Sequence, residues 1–167
     1  MADLRNSLVG NTVAGVTIGV IGAANRFLVY GVPVIYDAVT ALGRWGEPVF
    51  GLALAFALDF ASERVQFLEG MRIPSRWFIY SVYRLVEEAM DMMQGKGFAK
   101  IKSDGSIETD PSDEITKVYM QKGDEVIEVR AGSRTATVGP RRYVAVGSKR
   151  VYAFEAPYEL PAATATA

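Results

Sequence analysis

Twenty consecutive residues without a charge, Asn6–Asn25, lie between Arg5 and Arg26, and this run constrains the chain more than any other feature. As a helix it would span about 30 Å, the thickness of a bilayer's hydrocarbon. Its content is weaker than its length. Asn6, Ser7, Asn11, Thr12, Thr17 and four glycines dilute its hydrophobicity. Each glycine costs a helix in water about 1 kcal/mol, so such a helix is expected against another helix or in lipid, not alone. Gly15, Gly19 and Ala23 recur every four residues. That spacing puts small residues on one face, where two backbones approach closely, and marks them as helix-packing residues. Gly10 and Ala14 add a second small pair. Asp3 and Arg5 cancel, so no basic segment precedes the run as in a signal peptide, and the run is expected to be retained.

Two further apolar runs follow. Phe27–Leu42 is interrupted by Pro33, which starts or kinks a helix, and by Asp37. Gly43–Pro48 reads as a turn that opens a third helix, expected to run to about Glu69 with Gly70 as its cap. Its first three turns are apolar all round, which implies burial on every side. A fourth helix is expected from Ser75 to about Gln94, closed by Gly95-Lys96-Gly97. Phe78, Val82, Leu85, Ala89 and Met92 recur along it at helical spacing.

After Gly97 the pattern changes to short β-branched and aromatic runs with turn residues between them. Asp104-Gly105, Lys122-Gly123-Asp124, Gly132-Ser133, Gly139-Pro140 and Gly147-Ser148 mark the turns. The expected class is therefore α+β: three to four N-terminal apolar helices, then a small antiparallel β-meander or barrel. The expected divisions are an apolar helical region at 1–95, a β-hairpin module at 96–160 and a flexible tail at 161–167.

Charge follows the same division. The helical part carries seven arginines, no lysine and nine acids; the remainder carries eleven bases and ten acids. The net charge of −1 provides no field to draw nucleic acid. There is no cysteine and no histidine, which removes disulfides, thiolate chemistry and the commonest general base and metal ligand. No metal or cofactor is expected. Glu87, Glu88 and Asp91 read as a solvated face, and the acids around Asp104–Glu114 lack the spacing of a calcium loop. Asp37 and Asp59, set in apolar stretches, read as helix ends or paired acids.

Two surface features remain. Trp45, Trp77 and Tyr80 flank the apolar runs, as aromatics do where a helix leaves a bilayer. Arg134, Arg141, Arg142, Lys149 and Arg150 form a basic surface interleaved with Tyr143 and Tyr152. With Glu125, Glu128 and Glu155 beside them, these bases read as charges that blunt strand edges, and nucleic acid is not expected as a partner. Three apolar helical segments own more non-polar surface than one small sheet can cover, so lipid or neighbouring copies must cover the rest. The expected function is a non-enzymatic structural or assembly protein. Its helices sit in a membrane or a multi-subunit particle such as a virion, and its β module projects. The alternative is a soluble subunit of a homo-oligomeric shell, tube or capsid. The partners are then further copies or other structural subunits, with a lipid bilayer as the other surrounding and no small-molecule substrate.

Overall fold

The computed structural model describes residues 2–65, 68, 70–102, 105–110, 113–122, 124–129 and 135–159. Its helices are α1 (Ala2–Gly31), α2 (Pro33–Thr40), α3 (Gly46–Ser62) and α4 (Ile73–Met93), with a short 3-10 turn at Gly43–Trp45. The strands are β1 (Phe98–Ile101), β2 (Ile107–Asp110), β3 (Ile115–Lys122), β4 (Glu125–Val129), β5 (Thr135–Gly147) and β6 (Val151–Glu159). The fold is α+β. Two compact units interleave along the chain: Met1–Arg26 with Glu47–Val86, and Phe27–Gly46 with Glu87–Ala167.

Several boundaries differ from the expected ones. α1 runs through Arg26 without a break to Gly31, because the first helix breaker, Pro33, lies beyond it. Pro33 stands at the start of α2, where its missing N–H is no loss. α3 ends at Ser62, well before Gly70; the Ser62 hydroxyl donates to the Asp59 carbonyl at 2.6 Å. Glu69, the expected end, lies outside the described residues, as do Asp104, Gly123, Gly132-Ser133 and the tail from 160.

α4 ends as its glycine suggests. The Gly95 N–H donates to the Met92 carbonyl at 3.0 Å and the Lys96 N–H to the Asp91 carbonyl at 2.9 Å. That paired closure needs a left-handed residue, and Gly95 supplies it with φ +74°.

The β unit holds two antiparallel sheets. One is β1–β2; the other has the order β4-β3-β5-β6. Among the described residues neither closes into a barrel, because the outer strands β4 and β6 do not pair with each other. Nor is the larger sheet a meander: β3 pairs with β5, Val118 facing Ala145 and Met120 facing Tyr143. The expected turn at Gly139-Pro140 lies inside β5. The chain stays extended there, and the pairing of β5 with β6 slips between Ala136 and Arg141, as proline in a strand requires.

Alternation along these strands buries one face. Val118, Met120, Tyr143, Ala145, Tyr152, Ala156 and Tyr158 point inward with Ala99 and Ile101 of β1 and Tyr36 of α2. Tyr143 stacks on Phe154 with centroids 5.6 Å apart, and Tyr36 meets Tyr158 edge-on at 5.8 Å. The buried hydroxyls are paired. Tyr36 accepts from the Ile101 N–H at 3.0 Å, Tyr143 donates to the Tyr158 carbonyl, and Tyr158 donates to Asp37 at 2.9 Å. Asp37 is thus an acceptor beside the sheet. Lys100 donates to the Thr40 carbonyl at 3.1 Å, a cation at the C-terminal end of α2 where the helix dipole favours it.

Asp113 closes the turn between β5 and β6. It accepts from the Ser148 hydroxyl at 2.6 Å and, at 3.1 Å each, from the Lys149 and Arg150 N–H groups and the Tyr152 hydroxyl. The Ser148 bond foremost, with these other donors, holds its carboxyl down to about 2.

Candidate assembly interface

The helical unit encloses a small connected set of polar groups. Asn25 of α1, Glu47 of α3 and Ser81 of α4 are all buried. Trp77 donates its indole N–H to the Asn25 carbonyl oxygen at 3.2 Å. Glu47 accepts from Arg84 through both carboxylate oxygens, at 3.3 and 3.0 Å, and from the Tyr80 hydroxyl at 3.2 Å. The Glu47 carboxylate also lies in the first turn of α3, where the dipole favours an anion. Burial, and then the neighbouring Glu47, push the Tyr80 hydroxyl up to about 12. Small residues let this network close. A side chain at Gly22 would meet the Tyr80 ring at 2.9 Å, and one at Gly51 would collide with the Ser81 hydroxyl.

Many large apolar residues of the same helices face outward. On α1, Val13, Val16, Val20 and Ala23 are exposed, Val16 and Val20 by 64% and 63%. Their spacing of three, four and three is that of a helix–helix seam. On α3, Val49, Phe56 and Phe60 are exposed, both phenylalanines by 64%. On α4 the exposed set is Phe78, Ile79, Val82, Tyr83 and Val86. The stripe containing Phe78 and Val82 is therefore outside, and Trp77, Tyr80, Ser81 and Arg84 face in. An exposed apolar residue is ordinary by itself. Three helices that each bury a polar side chain, Glu47 among them, while exposing aromatic and branched ones are not, since water favours the opposite arrangement.

The site residues singled out by the sequence, Arg134 excepted, lie among the described ones. Gly15 and Gly19 have no atom within 4 Å of where a side chain would begin, and Ala23 is exposed. The ladder thus lies on the open side of α1 next to the valine seam. The close contact inside the unit uses Gly22 and Gly51 instead. Trp77 and Tyr80 belong to the buried network, whereas Trp45 lies in the 3-10 turn of the β unit, half-buried. Arg141 and Arg142 sit on β5, with Arg142 paired to Glu155 at 3.1 Å, and Lys149 and Arg150 sit in the β5–β6 turn. Arg134 lies outside the described residues. Asp59 borders an apolar groove of about 300 Å³ formed by Ala55, Phe56, Pro74, Phe78 and Ile79.

No apolar periodicity singles out Glu47 and Arg84. The available signal was Asn25, the polar residue that ends the uncharged run one position before Arg26.

Among the described residues one helical stretch, Asn11–Gly31 of α1, is long and apolar enough to cross a membrane: 21 residues with a mean hydropathy of 1.5. No protein-family model and no solved structure matches the chain. The chain is similar to coat protein TP3 of Thermoproteus tenax virus 1 (strain KRA1). The two are 20% identical over 146 residues, which span 86% of this chain and 90% of that one.

Proposed function

We propose that this chain is a non-enzymatic structural subunit of a virus particle, and that the exposed apolar faces of α1, α3 and α4 are where its copies pack. One observation carries the reading: the helical unit satisfies its buried polar groups internally and leaves many of its large aliphatic and aromatic side chains, Val16, Val20, Phe56 and Phe60 among them, outside. A polypeptide built this way needs an apolar neighbour, and a repeating particle supplies one in every copy. Likeness to a viral coat protein over most of both chains supports the same reading. Gly15, Gly19 and Ala23 then serve the contact between α1 and a neighbouring helix, and the sheet unit is the part free to project.

The test is sedimentation and electron microscopy of the full chain purified without detergent. A defined oligomer, tube or shell is expected. A single monodisperse copy at high concentration in plain buffer would sink the proposal.

A second reading, in which α1 enters a bilayer of the particle, is favoured by the length and hydropathy of Asn11–Gly31. Carbonate extraction of the protein made in cells separates the two. Retention in the membrane pellet supports insertion, and release into the wash supports packing between subunits.

A further inference from the structure

We propose that the β unit carries a binding pocket for a single phosphate group, centred on Arg44. Arg44 follows Gly43, which takes a left-handed φ of +64° in the 3-10 turn. It is only 8% exposed, yet it lines a pocket of about 340 Å³. Its guanidinium donates to the Lys96 carbonyl at 2.8 Å, and among the described residues no carboxylate lies within ion-pair distance of it. An arginine stays charged at any ordinary pH and offers five N–H donors. Burying that charge against one neutral carbonyl is costly unless an anion completes the site.

Two more basic residues, from distant parts of the chain, line the same pocket. Lys96 is placed by the glycine closure of α4 and Arg150 by the β5–β6 turn that Asp113 clamps. Three basic residues lining one pocket, the buried Arg44 guanidinium among them, fit a tetrahedral oxyanion. The acids nearby restrict what carries it. Asp110 lines the pocket and Asp91 pairs with Lys96 at 2.6 Å. A polyanionic strand would have to run past both carboxylates, whereas one isolated phosphate shares the pocket with Asp110 alone. Leu42 and Met92, both more than half exposed, add an apolar rim beside half-buried Trp45. The pocket therefore suits a phosphate that is free or carried on a lipid headgroup.

The experiment titrates the full-length protein, in its purified assembly state, with inorganic phosphate against chloride of equal ionic strength. Tryptophan fluorescence and melting temperature are followed. Co-sedimentation with phosphatidylglycerol vesicles is compared with phosphatidylcholine vesicles. Saturable phosphate binding is expected, weakened about tenfold by Arg150→Gln through loss of one charge-assisted contact. Arg150 is exposed, so that variant keeps the fold and decides the matter even where Arg44→Gln does not fold. Arg142→Gln removes the same charge away from the pocket and is expected to bind as the wild type does. A phosphate response with no preference for phosphatidylglycerol supports the pocket and assigns a soluble phosphate. A phosphatidylglycerol preference that inorganic phosphate competes away, and that Arg150→Gln loses, supports it and assigns a headgroup. The proposal is overturned if neither probe gives a response that depends on Arg150, or if Arg142→Gln weakens binding equally.

Discussion

Asp113 is a carboxylate with three of its four donors in the turn that follows β5 and the fourth, Tyr152, on β6, so its charge and the turn stabilise each other. Because the folded carboxyl is held down to about 2, its contribution has a definite sign against pH. It is fully present above the ordinary aspartate value of about 4 and fades as the pH falls through 2. Asp113→Asn keeps one acceptor oxygen but turns an amide toward the Lys149 and Arg150 N–H groups. Thermal melts should show the variant less stable than the wild type at about pH 5, with the gap closing toward about pH 2. A gap that stays constant over that range would show that the charge is not what matters. Gly147 belongs to the same device, since a side chain there would press on the Asp113 carboxylate. The sequence marks Gly147-Ser148 as a turn, but nothing local in it says that Asp113, one hairpin earlier, would hold it.

Among the elements, the helices show how far periodicity reaches. Helical spacing on α4 was legible, as were Gly95 at its end and Pro33 at the start of α2, because each depends on neighbours within one turn. Which face of α4 turns inward was not legible. The usual rule assigns the apolar stripe to the core because it assumes water outside, and here Phe78 and Val82 face out while Ser81 and Arg84 face in. The glycines sort by the same test. Gly51→Ala would drive a methyl group into Ser81 and toward Asn25, and should destabilise the protein by about 1–3 kcal/mol. Gly15→Ala meets open space and should leave folding unchanged or raise stability by up to about 1 kcal/mol, while weakening association. Denaturant unfolding of the two variants at matched concentration reads the opposite signs; equal losses would mean that both glycines serve contacts inside the subunit.

For the whole molecule, the consequence lies in assembly. Phe56 and Phe60 are far more exposed than phenylalanines of a water-facing helix need be, so Phe56→Ser and Phe60→Ser remove little from the folded subunit. Each contact with a neighbour is expected to lose about 1.5–3 kcal/mol, the value of one buried phenylalanine. Sedimentation should show the double variant shifted toward single copies with unchanged circular dichroism. Undiminished particles would place the subunit contacts elsewhere.

The amino-acid sequence determined the kinds of element, their approximate order and the surplus of apolar surface, since composition and short-range spacing encode those directly. It also excluded thiol and imidazole chemistry. Tertiary structure alone decided that β3 pairs with β5 and that Asn25, Glu47 and Arg84 meet inside the helical unit. It alone brings Arg44, Lys96 and Arg150 to one pocket. Each of those depends on residues far apart in the chain, whose meeting is set by chain closure and by what the surroundings leave exposed, neither of which a local pattern records.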